Sequence, residues 1–206
     1  MPIDSLTFTY PLALTMGVLF SNASIALNSV AGIDVDFALA TAGVTPTMIV
    51  ASSQTVANAH VEIKKSSFGY AEKREHWLHD RTLKAGRMPN ANLFTKESGP
   101  IRHATGNTAK LRLLYVSERV GATQSPPLSS TILSDMRIFT GARVVYALTA
   151  AKVAGAVAQT NFFDYRKNEE TGNCSHFGAP LSSVKVKLVD TSDHKTTDEG
   201  NPQGQV

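Results

Sequence analysis

The spacing of apolar positions changes several times along the chain, and each change predicts an element. Leu6 to Tyr10 alternates Leu, Thr, Phe, Thr, Tyr and predicts a strand that Pro11 ends. Asp34 stands where it can cap a short helix carrying Phe37, Leu39 and Ala40, closed by Gly43. Thr45-Pro46 imposes an extended entry, and Thr47 to Ala51 follows as a short buried strand. Ser52 or Ser53 then caps a helix through Val56, Ala59 and Ile63. Phe68 to Leu83 predicts a further helix, with Tyr70, Trp77 and Leu78 on one side and Lys73, Arg74 and Arg81 elsewhere; Gly86 and Pro89 stop it. Asn90 to Asn107 is weakly patterned and reads as irregular. Leu111 to Val116 is a second strand, Gln124 to Pro127 a loop, and Ser129 or Ser130 caps a helix with Ile132, Leu133, Met136 and Phe139 at helical spacing. Gly141 ends that helix and Arg143 to Tyr146 is a third strand. Asn161 to His176 is loop-like, Val184, Val186 and Leu188 alternate with lysines as a half-exposed strand, and Thr191 to Gln205 is a polar turn region. There is no internal repeat. Strands alternating with helices predict an α/β fold of layered sheets with flanking helices.

Ser5 to Ile33 carries no charge, which raises the question of a membrane span. Eight Ser, Thr and Asn residues interrupt the stretch, and Pro11 and Gly17 would break a helix within it. The expectation is a strand, a short helix and another strand, all buried in the layers. The opening Met-Pro-Ile-Asp has no basic residue ahead of the apolar stretch, so no signal peptide is expected.

Composition narrows the function classes. The chain has 206 residues and a net charge of +3, too little for a dedicated nucleic-acid binder, so no nucleic-acid partner is expected. A single cysteine, Cys174, excludes an internal disulfide framework and argues against a cysteine zinc site. The charge is uneven: Lys64 to Arg112 holds eleven basic residues against four acids. That segment is either a solvated helical face with loops or a patch facing phosphates or an anionic membrane surface. No glycine-rich phosphate loop of the Walker or Rossmann type is present. His76 and His79 lie three apart, but no carboxylate in register completes a metal motif, and a surface helix is the simpler account. Nothing in the sequence orients Cys174 and His176 as nucleophile and base.

Several strings, taken in order, resemble the adenylate-forming (AMP-binding) superfamily, and within it the long-chain fatty acid–CoA ligases. LTFTYPLA at Leu6 to Ala13 is similar to a strand ending in a Pro-Leu-Ala turn, with Leu14 where the family usually has His. VTPTMIVASS at Val44 to Ser53 is similar to a helix-to-strand segment, Phe68 to Gly86 to the basic helix of the long-chain subgroup, and Leu93 to Lys96 to the segment after it. LRLLYVSERVGA at Leu111 to Ala122, followed by Pro127-Leu128-Ser129, is similar to the family's glycine-containing strand and turn. GARVVYALT at Gly141 to Thr149 resembles the strand entering the Tyr-Gly-Leu-Thr-Glu motif, and GNPQGQV at Gly200 to Val206 the start of a later strand. The most specific match is FGAPLSSVKVKLVD at Phe177 to Asp190.

The resemblance implies the middle portion of an acyl-activating N-terminal domain over residues 1–206, with a basic helical or irregular insertion at 64–110. It implies ATP-dependent ligase chemistry: a fatty acid and ATP, with Mg2+, give an acyl-adenylate, and the acyl group passes to CoA. By resemblance Tyr146 would form one face of the adenine slot, Thr149 would bond a phosphate oxygen, and Gly121 and Ala122 would line the adenine and acyl side. The Tyr146 strand and the Phe177 to Asp190 segment would then lie side by side as walls of the cleft. Two positions depart from the motif: Ala147 replaces its glycine and Ala150 its acid, and an alanine offers no oxygen to a metal. The resemblance also places the family's phosphate loop before Met1 and its catalytic lysine after Val206. No catalytic or metal-binding residue is therefore expected here, and the chain itself is expected to be inactive. The alternative is a pseudoenzyme or a protein- or membrane-interaction module that keeps the fold. Either would be intracellular, peripheral on the cytosolic face of an organelle membrane.

Overall fold

A computed structural model describes residues 1–66, 70–89, 111–121, 127–165, 174–192 and 195–197. Its elements run α1 (Thr9–Phe20), α2 (Phe37–Thr41), β1 (Met48–Ser52), α3 (Ser53–Ser66), α4 (Tyr70–Lys84), β2 (Leu113–Arg119), α5 (Ser130–Thr140), β3 (Arg143–Thr149), β4 (Ala156–Gln159) and β5 (Ala179–Pro180). The strands form one mixed sheet in sequence order. β1, β2 and β3 are parallel, with Val50, Tyr115 and Val145 in one cross-strand row. β4 and β5 continue it antiparallel. The expectation of an α/β fold with flanking helices holds, but the described residues form one sheet rather than layered sheets.

The parallel strands are apolar on both faces, as a sheet covered twice must be. On one face Ile49, Ala51, Leu114, Val116, Val144 and Tyr146 pack with Val56, Ala59 and Ile63 of α3 and with Leu133, Met136 and Phe139 of α5. On the other, Val50, Tyr115, Val145 and Ala147 meet Tyr10 and Ala156, with Leu14 and Leu181 at the margin. Tyr10 meets Tyr115 edge to face at 6.4 Å, a favourable aromatic arrangement. The predicted caps at α3 and α5 are present: Ser52 Oγ accepts from the Thr55 amide at 3.1 Å and Ser129 Oγ from the Ile132 amide at 3.2 Å. Gly141 closes α5 in the left-handed conformation.

Four expectations about individual elements are corrected. Leu6 to Tyr10 is no strand: the chain bends there and enters α1 at Thr9. Pro11 sits in the first helical turn, where a missing N–H breaks no helical bond. The sheet contact comes earlier, where the Ile3 amide donates to Val50 O and the Val50 amide to Met1 O. The second strand expected before Ile33 is also absent among the described residues. Far from being buried, this stretch exposes Leu19, Phe20, Leu27 and Val30. Asp36, not Asp34, caps α2, accepting from the Ala38 and Leu39 amides at 2.8 and 3.2 Å. Residues 184–188 carry no strand, for the sheet ends at the two-residue β5 and their alternation has no ladder to join. The irregular stretch expected at Asn90 to Asn107 lies outside the described residues. No helix among the described residues is long and apolar enough to cross a membrane.

The helical layer is joined by one buried carboxylate. Asp135 of α5 accepts from His60 Nε2 of α3 at 2.8 Å and from His76 Nε2 of α4 at 2.9 Å, while Lys64 Nζ lies 3.0 Å away. Phe139 packs against both imidazoles. His76 therefore faces inward, and His79 is buried on the same side of α4, where burial pushes its pKa down. The surface-helix account of this pair is corrected, and no group of three or more metal-ligating side chains is arranged for an ion among the described residues. Burial alone would raise the pKa of Asp135, but the bonds from His60, His76 and Lys64 outweigh it and hold the carboxyl well below its ordinary range.

Asp135→Asn should lower stability by about 3 kcal/mol, because it removes the charge facing three donors in a buried cluster. Urea unfolding at neutral pH checks this. With the folded pKa held below the ordinary 3.8, the carboxylate's contribution is complete above that value and lost as pH falls below it. The Asn variant should accordingly show a flatter acid limb in unfolding curves taken below pH 3.8.

Candidate functional site

In parallel sheets, ligands gather at the carboxyl ends of the strands. At that edge β2 carries three polar residues in succession, and strand alternation sends them to opposite faces. Ser117 and Arg119 turn toward the α1 side. There Ser117 Oγ donates to Asp4 Oδ2 at 2.6 Å, Arg119 bonds Asp4 Oδ1, and the guanidinium lies 3.4 Å from the Phe8 ring centroid. Asp4 is completely buried.

Glu118 turns to the helical side and is 5% exposed. The Tyr146 hydroxyl donates to its Oε2 at 2.7 Å, and the hydroxyl oxygen accepts from the Leu128 amide at 2.9 Å. Ser53, the first residue of α3, gives Glu118 a second side-chain hydrogen bond. Burial pushes the Glu118 carboxyl above its ordinary 4.5, and the bonds from Tyr146, Ser53 and the Arg119 amide only partly offset it. Burial also raises the Tyr146 phenol, and the neighbouring Glu118 adds to the shift.

Tyr146 is fully buried, and its ring stacks on Phe177 with centroids 4.6 Å apart and planes at 27°. The segment bearing Phe177 is held from both sides. The Ser175 amide donates to Leu128 O at 2.8 Å, and β5 pairs Ala179 with Gln159 of β4. Between them Gly178 adopts φ +76°, and a Cβ there would lie 2.5 Å from Gln159 O. Only glycine fits this approach.

The residues singled out by resemblance fall as follows. Tyr146 lies inside β3, with one ring face against Phe177. Thr149 ends the same strand but points to the opposite face, its hydroxyl donating to Glu118 O at 2.8 Å. Gly121, at φ +77°, lies just beyond β2 with open space where a side chain would be. It is near Thr149, whose carbonyl accepts from the Val120 amide at 2.9 Å. Ala122 lies outside the described residues. The Tyr146 strand and the start of the Phe177 to Asp190 segment are not neighbours in the sheet, where β4 separates β3 from β5, but they touch through the two rings. Glu118, Ser53, Asp4 and Arg119 were not anticipated. The signal for Glu118 was there: it continues the inward row of Leu114 and Val116, where an acid is out of place.

Two grooves open elsewhere among the described residues. One of about 770 Å³ is lined by α1, Ala23 to Ala26 and Val44 to Met48, and one of about 540 Å³ by Leu83, Phe163 and Tyr165 among others. Tyr146, Glu118 and Phe177 line neither.

Glu118→Gln keeps an acceptor for the Tyr146 hydroxyl and removes an ionisation that burial opposes. Because the folded pKa lies above 4.5, the wild type loses stability as pH rises from there through the folded value. The Gln variant should be at least as stable as the wild type at neutral pH, with less pH dependence in thermal melts. Gly178→Ala should cost about 1–3 kcal/mol through backbone strain and its clash with β4. It should also weaken the near-ultraviolet circular dichroism of the Tyr146–Phe177 pair. Comparison of the chain with protein-family models, with curated proteins and with solved structures finds no match.

Proposed function

We propose that this chain has the sheet and cleft walls of an acyl-activating domain of the adenylate-forming type, akin to the long-chain fatty acid–CoA ligases, in a form that does not itself catalyse acyl transfer. The observation that carries this reading is the stacking of Tyr146 on Phe177 at 4.6 Å. It brings together the two strings on which the family resemblance chiefly rests. The order of three parallel strands with intervening helices is compatible with it, as is Gly121 beside the end of β3.

The same contact argues against catalysis. An adenine slot needs an open aromatic face, and Phe177 covers one face of Tyr146. A magnesium-held triphosphate needs an anionic oxygen at the strand end, where Ala150 stands. Two buried acids stand at the end of β2: Glu118 is occupied by Tyr146 and Ser53 and pushed toward its neutral form, and Asp4 is bonded by Ser117 and Arg119. The described residues therefore do not fit ATP with Mg2+. Stabilisation of developing charge is usually the largest catalytic contribution, and this edge supplies little of it.

ATP–pyrophosphate exchange with a long-chain fatty acid should be undetectable, and measurable exchange would overturn the non-catalytic reading. The family reading has its own test. Phe177→Ala should uncover the Tyr146 ring and create weak adenosine binding, seen as saturation transfer to the adenine protons in NMR. An absence of transfer in a folded variant would count against descent from a nucleotide cleft.

A further inference from the structure

We propose that the outward face of α4 is a docking surface for anionic phospholipid bilayers. At 100° per residue, Tyr70, Lys73, Arg74, Trp77, Arg81 and Lys84 fall on one side of this helix, opposite His79 and Leu83, which are buried. All six are exposed, Tyr70 at 90% and Trp77 at 59%. Sequence periodicity alone suggested that the aromatic residues stood apart from the basic ones, but the fold turns them outward together. Of the three acids of this helix, Glu72, Glu75 and Asp80, the last two are half-buried on its flanks, and Asp80 lies 3.6 Å from Lys84.

Charge complementarity and ring chemistry select the occupant. Four cations on one helical face match the negative potential of a phosphatidylserine-bearing leaflet. Trp and Tyr partition to the headgroup level, so they suit a helix lying flat at the interface. Single-stranded nucleic acid also uses basic and aromatic residues, but it needs free ring faces along a groove. Here the Arg81 guanidinium lies over the Trp77 ring at 5.9 Å, and the surface is a convex helix. The apolar stretch of α1 packs on the other face of the sheet, so the two surfaces are separable by mutation. The docking face stands whether or not the cleft ever held a nucleotide.

Trp77 is the chain's only tryptophan and reports directly on this face. The full chain should show a blue-shifted Trp77 emission and should co-float with vesicles of phosphatidylcholine and phosphatidylserine, but not with phosphatidylcholine alone. Raising salt from about 0.1 M to about 1 M should release it. The double variant Arg74→Glu/Arg81→Glu should bind more than about tenfold more weakly with an unchanged thermal melt. Leu19→Ser/Phe20→Ser on α1 should bind like the wild type. Equal binding to neutral vesicles would overturn the proposal, as would loss of binding only in the α1 variant. So would quenching of Trp77 by a single-stranded oligonucleotide without any response to anionic vesicles.

Discussion

Three parallel strands with apolar side chains on both faces must be covered twice, and most of the fold follows from how unequally this is done. The face toward α3 and α5 is sealed by a continuous core. Its helices are tied together by a carboxylate that three donors share. The opposite face is met by Tyr10 and Leu14 of α1, by Phe162 against Tyr115 and by the Leu181 turn. An apolar helix docked by one end leaves its remaining length outward, with Phe20 91% exposed. The uncharged N-terminal stretch is therefore a consequence of the sheet's second face.

What was legible in the sequence were the elements whose period and punctuation agreed. β1, β2 and β3 are short apolar runs entered or left through Pro46, Ser52 and Gly141. α3 and α5 have a capping serine ahead of a helical apolar row. The failures came where pattern and context disagreed. Leu6 to Tyr10 alternates like a strand, but the ladder position beside Val50 is taken by residues 1–3, so these residues turn and start a helix. Val184 to Leu188 alternates too, yet lies beyond the last paired residues of the sheet. On α4 the helix was legible, but the separation of Tyr70 and Trp77 from Lys73, Arg74 and Arg81 was not, since all five are exposed. Two histidines and Leu83 are the anchoring residues, because Asp135 gives one of those imidazoles a buried partner.

The site was legible in part. The nearness of the Tyr146 strand to Phe177 was expected from resemblance, whereas the stacking of the Phe177 ring on Tyr146 was not. That stacking depends on Gly178 pressing against Gln159, a backbone approach with no periodic signature. Within the polar triplet Ser117-Glu118-Arg119 only the inward register of Glu118 is legible. The burial of the triplet follows from partners distant in sequence: Asp4 on one face, Ser53 and Tyr146 on the other.

Glu118 and Asp135 are both buried acids on the helical side of the sheet, and they shift in opposite directions. Asp135 meets two imidazole donors and an ammonium group, so its charged form is favoured despite burial. Glu118 meets hydroxyls and an amide, which bond a carboxylate less strongly, so burial prevails. Linkage then gives the two acids opposite slopes. Asp135 adds stability as pH rises toward its ordinary 3.8, while Glu118 subtracts it as pH rises above its ordinary 4.5. From these two groups alone, stability is greatest in the narrow acidic interval between those values. Rising pH therefore works against the sheet edge, while the helical layer stays clamped by its three donors. The α4 face is thus carried by the clamped layer, through His76 and Asp135, and not by the edge where burial opposes ionisation.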